Sequence, residues 1–201
     1  GGSGLSSVAD ASTIASLTQN GRLNIDPSQG LGVGNAHLQV VGNLDNKGLI
    51  ELSNSGGSGG SVILETQAIL TNDGAIRVMD DGGAAASVAI VANDIVNNGF
   101  ILLNRDVEIE APDIGNKPDG VIVLDDATAT ISTGGSGSVT NDGIITGYGS
   151  LVMTDSTFTS TGKIRPEDIE TGGDQNQLVI GTRGVGLAID ATGVILESTN
   201  I

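Results

Sequence analysis

Apolar and polar residues alternate in short bursts along most of the chain, separated by joints rich in Gly, Ser, Asn and Asp. Leu49-Ile50-Glu51-Leu52, Ala75-Ile76-Arg77-Val78 and Phe100-Ile101-Leu102-Leu103 are three such bursts. Each carries an apolar residue at every second position, a period that predicts short β-strands. Before each burst stands a phrase of the form Asn-x-Gly: Asn46-Lys47-Gly48, Asn72-Asp73-Gly74, Asn97-Asn98-Gly99 and Asn141-Asp142-Gly143. Weaker copies surround Gly21, Gly120, Gly162 and Gly193, and successive Gly positions lie 19 to 31 residues apart. That spacing is the period range of a solenoid.

Alignment on the Gly exposes columns. Two residues after it stand Ile50, Ile76, Ile101, Ile122, Ile145 and Ile164; two further on stand Leu52, Val78, Leu103 and Leu124, then Gly147 and Pro166. Four residues before it stand Leu44, Leu70, Ile95, Val139 and Phe158, with Ile114 in the same role if the loop from Asn116 to Asp119 is two residues longer. A third strand supplies Leu38 and Val40, Val62 and Leu64, Val88 and Ile90, Val107 and Ile109, Ala129 and Ile131, and Leu151 and Met153.

The joints are too short for crossovers and lack two-residue hairpin chemistry, so these strands do not pair within a coil. Each is expected beside its counterpart one coil along, in parallel and about 4.8 Å away. The predicted fold is all-β: a right-handed parallel β-helix with three short strands per coil and atypical capping ends. The left-handed form is disfavoured because it would show a strict six-residue repeat. Residues 1–37 read as a linker, a cap and a first irregular coil, residues 38–170 as regular coils, and residues 171–201 as atypical closing coils. Within the first segment, Leu5 to Gln19 fits a short helix or an irregular strand covering an open edge.

The Asn-x-Gly columns have a structural reading. Gly tolerates φ > 0 at a sharp bend and Asn is the next most tolerant residue. Stacked Asn side chains bond from coil to coil, so Asn46, Gly48, Asn72, Gly74, Asn97, Gly99, Asn141 and Gly143 form a turn ladder.

Composition narrows the picture further. Two Phe, one Tyr and no Trp leave an aliphatic core. The formal net charge of -16 opposes partnership with nucleic acid or anionic lipid and favours a cation or a surface tolerant of an acidic partner. Absence of Cys excludes a disulfide framework but fixes no compartment. No apolar run approaches about 18 residues, so membrane insertion is not expected. Gly1-Gly2-Ser3-Gly4 reads as a linker or cloning scar, with any signal peptide absent or already removed.

Asn-x-Gly-x-Ile followed by alternating aliphatics resembles the β-helical shafts of filamentous-haemagglutinin-like adhesins and autotransporter passenger domains of secreted bacterial proteins. Thr161-Gly162-Lys163-Ile164-Arg165-Pro166 and Asp174-Gln175-Asn176-Gln177-Leu178-Val179-Ile180 look like the closing coils of such passengers. The resemblance implies export and display at a cell surface. It also implies membership of an extracellular assembly and a structural or adhesive task; the expected partner is a host or neighbouring cell surface, and self-assembly into a filament is a variant, because an uncovered solenoid edge is a template for pairing. No catalytic motif comes with it.

One outward column holds the only chemistry that invites a second reading. Six residues after the Gly stand Asn54, Asp80, Arg105, Asp126, Gly149 and Asp168. A solvated charge ladder, with Arg105 relieving repulsion between Asp80 and Asp126, is the first reading. The alternative is a polysaccharide-lyase-like site with calcium on the Asp residues and Arg105 as base. Against it, sugar grooves carry aromatic platforms, and Tyr148 is the one exposed-looking aromatic. If a metal binds, calcium fits the hard oxygen donors, with Met79-Asp80-Asp81-Gly82-Gly83 and Gly172-Gly173-Asp174-Gln175-Asn176 as weak candidates. His37, the one histidine, supports neither a zinc site nor a triad. The expectation is a non-enzymatic rod whose loops Ser53 to Ser61 and Asp80 to Ala86 are displayed.

Overall fold

The computed structural model describes residues 12–26, 35–53, 60–80, 87–135, 137–154, 157–166, 178–183, 189–190 and 195–196. Its first three strands are β1 (Ser12–Ile14), β2 (Leu17–Gln19) and β3 (Arg22–Ile25), and the next three are β4 (Ala36–Val40), β5 (Leu44–Asn46) and β6 (Leu49–Leu52). They are followed by β7 (Val62–Thr66), β8 (Ile69–Asn72), β9 (Ala75–Val78), β10 (Val88–Val91), β11 (Asp94–Asn97) and β12 (Phe100–Leu103). Then come β13 (Val107–Glu110), β14 (Asp113–Asn116), β15 (Val121–Ser132), β16 (Ser138–Asn141) and β17 (Ile144–Thr154). The last are β18 (Thr157–Ser160), β19 (Lys163–Pro166), β20 (Leu178–Arg183), β21 (Ile189–Asp190) and β22 (Ile195–Leu196).

No helix occurs among the described residues, and every pairing recorded there is parallel. The chain is therefore a β-solenoid. One sheet has the order β2-β5-β8-β11-β14-β16-β18-β21; in the other, the runs β1-β4-β7-β10-β13 and β3-β6-β9-β12 meet on β15. Pairing reaches back to Ser12, so the helix-or-strand choice for Leu5 to Gln19 resolves as strand over Ser12–Ile14 and Leu17–Gln19.

Inward residues stack as aliphatic columns. Ile50, Ile76, Ile101, Ile122, Ile145 and Ile164 follow one another in register, as do Leu44, Leu70, Ile95, Ile114, Val139 and Phe158. Leu44, Ile50, Leu52, Ile76, Val78 and Leu124 are fully buried, each contributing about 1.5–3 kcal/mol of hydrophobic stabilisation. One column differs from expectation. Leu38 pairs with Leu64 rather than with Val62, whose neighbour is Ala36, and Val40 meets Thr66. A slip of two residues keeps each side chain on its own face, so alternation alone does not detect it.

One connection of the repeating pattern shortens along the chain. Residues 53–61 join β6 to β7 and residues 79–87 join β9 to β10, but only residues 104–106 join β12 to β13. β15 and β17 then run through the same corner as single strands. β15 does so by a bulge, because the register shifts between Asp125 and Ala127. Asp126 stands there with φ of 55°. Gly147 and Gly149 make the equivalent bend in β17 with φ of 107° and 144°, where a Cβ would be strained.

Candidate functional site

The most ordered polar feature lies inside the solenoid. Asn46 Nδ2 donates to Asn72 Oδ1, Asn72 to Asn97, Asn97 to Asn116 and Asn116 to Asn141, each at 2.7 Å. Asn141 Nδ2 then donates to Ser160 Oγ at 3.0 Å. All six side chains are buried. The second amide hydrogen also finds an acceptor: Asn46 reaches the Ala75 carbonyl at 2.9 Å and Asn72 the Phe100 carbonyl at 3.1 Å. At the near end, Asn46 Oδ1 accepts from Gly48 N–H at 3.2 Å. Every donor points towards the C-terminal end. This is the amide ladder of stacked Asn, closed inside one chain.

Two members escaped the sequence reading. Asn116 lies in Asn116-Lys117-Pro118-Asp119-Gly120, two residues longer than its counterparts. A tight turn closed by Gly120 N–H on the Lys117 carbonyl at 2.7 Å absorbs the excess and leaves Asn116 level with Asn97 and Asn141. Ser160 occupies the Asn position of a degenerate copy, and its hydroxyl accepts the last bond.

The Gly column is needed for a different reason from the one expected. Among the described residues, positive φ at glycine occurs at Gly134, Gly135, Gly147 and Gly149, and none of these belongs to an Asn-x-Gly phrase. A Cβ on Gly74 would instead be driven into the Gly48 carbonyl oxygen, and Gly48, Gly99, Gly143 and Gly162 face the preceding corner in the same way. Pairing carries straight through these corners: Asp73 N–H meets the Asn46 carbonyl at 2.7 Å and Ala75 N–H meets the Gly48 carbonyl at 2.8 Å. Close backbone stacking leaves no room for a side chain.

The charged column is only partly level. Leu103 pairs with Val78 and Leu124, and pairing with β15 resumes at Val107 with Ala129, so Asp126 stands in a corner one residue longer than the corner that holds Arg105. One position nearer the strands, Asn104 bonds to the coils on both sides. Asn104 Oδ1 accepts from Asp80 N–H at 3.3 Å, and Asn104 Nδ2 donates to Asp125 Oδ2 at 2.6 Å. Arg105 is half-buried, and Asp80 and Asp126 are exposed. Among the described residues no group of three or more His, Asp or Glu side chains has a metal-holding arrangement. Most of the Met79 to Gly83 turn, the whole Gly172 to Asn176 segment, the positions Asn54 and Asp168, and the bodies of both displayed loops lie outside the described residues.

The outer faces differ in character. His37 Nε2 and Gln39 Nε2 both reach the Glu65 carboxylate at 2.8 Å across the pairing of β4 with β7. Further along this face Ser87, Asp106, Glu108, Thr128 and Thr130 line an open concavity of about 250 Å³. On the face made by β3, β6, β9 and β12, Arg22 donates to Glu51 at 2.6 Å. Phe100 stands on that outward face beside Leu102, so Tyr148 is not the one outward aromatic. Among the described residues the interior holds a narrow apolar void of about 40 Å³, lined among others by Ile76, Ile101, Val139 and Ile145.

No family model, curated protein sequence or solved structure matches the chain.

Proposed function

We propose that this chain is a non-enzymatic structural or adhesive shaft of a secreted or cell-surface assembly, presenting its corner loops to a host or neighbouring cell. The observation that carries this reading is the unbroken axial bonding. Backbone pairing and the buried amide ladder run together from Asn46 to Ser160, which suits a stiff spacer. The Asn-x-Gly-x-Ile phrase, with its likeness to haemagglutinin-type and passenger-domain shafts, supports export.

Self-assembly into a filament belongs to the same reading. β1, β2 and β3 stand at the ends of their strand orders, and a sheet end is a template for a further strand. The end coil of one copy then docks on the first coil of the next.

Antibody against the chain is expected to label intact producing cells or their medium. Label confined to lysed cells overturns the location. Acidic polysaccharides incubated with the protein, with and without Ca²⁺, are expected to stay uncleaved. A Ca²⁺-dependent turnover lost in Arg105→Ala overturns the structural reading in favour of a lyase. Negative-stain images over a concentration series test the filament, and monodisperse short particles throughout would exclude it.

A further inference from the structure

The outward positions of the solenoid are sorted by charge. On the face made by β3, β6, β9, β12, β15, β17 and β19 the outward residues include Arg22, Arg77 and Lys163, and the acids among them, Glu51 and Asp125, are engaged by Arg22 and Asn104. Between the cations the face is apolar: Leu49, Phe100, Leu102 and Ile144 are half-buried. Val123 and Thr146, on the same face, are already buried. On the face made by β4, β7, β10, β13 and β15 the outward charges are Glu65, Glu108 and Glu110, with His37 as the basic group. Arg183 enters this sheet only at β20. That face also carries an apolar strip, Ile63, Ala89 and Val91.

We infer that the apolar, cationic face of one copy packs against the acidic face of a second copy, so that shafts lie side by side. The inference rests on the shaft reading and adds a lateral contact to it. The occupant follows from complementarity: each face has an aliphatic centre, and the charges flanking the two centres are of opposite sign. Arg77, exposed on its strand, meets the rim formed by Glu108 and Glu110, which are also exposed, next to the concavity lined by Asp106 and Thr128. The two faces are different surfaces of the same molecule, so the contact is heterologous and repeats from copy to copy instead of closing at two.

Size and charge set how it behaves. Seven strands spaced about 4.8 Å apart make a strip about 29 Å long and about 13 Å wide. The five strands of the acidic face cover about 19 Å of that length, so the two surfaces together bury about 500 Å², below the range of stable complexes, and the association is weak and concentration-dependent. Each copy also carries a formal charge of -16, which repels a second copy wherever screening is poor. Association is therefore greatest at intermediate ionic strength. Lower salt exposes the net repulsion, and higher salt weakens the attraction between the faces.

Sedimentation velocity on the whole chain at about 20, 150 and 500 mM NaCl tests this in the screening range set by the Debye length. The expected result is concentration-dependent association strongest at the middle salt. A monomer under all three conditions, or association that rises steadily with salt, overturns the proposal. Arg77→Glu and the double variant Glu108→Lys/Glu110→Lys are each expected to weaken self-association by tenfold or more. Mixed together they bring one intact acidic face and one intact cationic face into contact, and pairs form again. If both variants keep the parent circular dichroism and their mixture stays monomeric, the heterologous contact is wrong. Cell-surface labelling and polysaccharide turnover do not depend on either outcome, so failure here leaves the shaft reading standing.

Discussion

Removing one rung of the amide ladder has a cost that the structure lets one count. In Asn97→Ala, Asn72 Nδ2 loses its acceptor and Asn116 Oδ1 loses its donor, and both side chains are buried. Each stranded group costs about 1–3 kcal/mol, so the single variant is destabilised by about 2–6 kcal/mol. Asn72→Ala strands Asn46 Nδ2 and Asn97 Oδ1 and costs a similar amount. The double variant strands only Asn46 Nδ2 and Asn116 Oδ1, again two groups. Its loss is therefore close to that of either single variant, so the coupling is as large as one single loss, about 2–6 kcal/mol, where independent sites add to within about 0.5 kcal/mol. Urea unfolding followed by far-ultraviolet circular dichroism measures all four corners of the cycle. Additive losses would refute the idea that these amides act as one chain of bonds.

The remaining expectations follow from single corners and columns. Gly74→Ala is expected to cost more than about 2 kcal/mol, because backbone rather than a movable side chain blocks the Cβ, whereas Gly21→Ala, with open space around the new carbon, stays within about 0.5 kcal/mol in the same urea assay. Asp126→Gly relieves a left-handed residue at the bulge and is expected to be neutral or stabilising by up to about 1 kcal/mol; a loss above that range would mean that the Asp126 side chain holds the corner. Val139→Ile extends one methylene into the narrow axial void and is expected to raise stability by up to about 0.8 kcal/mol, with a lowered thermal midpoint as the contrary result.

The aliphatic columns were legible because two signals coincide in them. The period of two marks which residues face inward, and the recurring Gly fixes where each circuit begins, so Ile50 through Ile164 fell into one register. Where the second signal is missing the reading drifts. β4 follows residues 26–35 with no Asn-x-Gly phrase before it, and its alignment was out by one pleat repeat. Asn116 was hidden by a two-residue insertion that the backbone absorbs in a turn. The bulge at Asp126 leaves no mark in hydrophobic pattern, because its immediate neighbours, Asp125 and Ala127, are polar or small. Phe100 was overlooked because its neighbour Ile101 fills the inward position, and alternation says only that one of the two turns outward. The Gly column was found for a mistaken reason: a turn that demands positive φ and a corner that demands bare backbone both select glycine, and composition does not separate them.

The corner that is bridged by residues 53–61 in one circuit and crossed by an uninterrupted strand in another behaves as a socket of adjustable depth on a ruled scale. Strand pairing sets the scale: whatever is grafted into the socket of one circuit sits a whole number of steps, each about 4.8 Å, from a graft in any other. Peptides placed there keep fixed axial intervals however long they are. The molecule is in that sense a measuring stick whose marks are spaced by hydrogen bonds and whose labels can be exchanged.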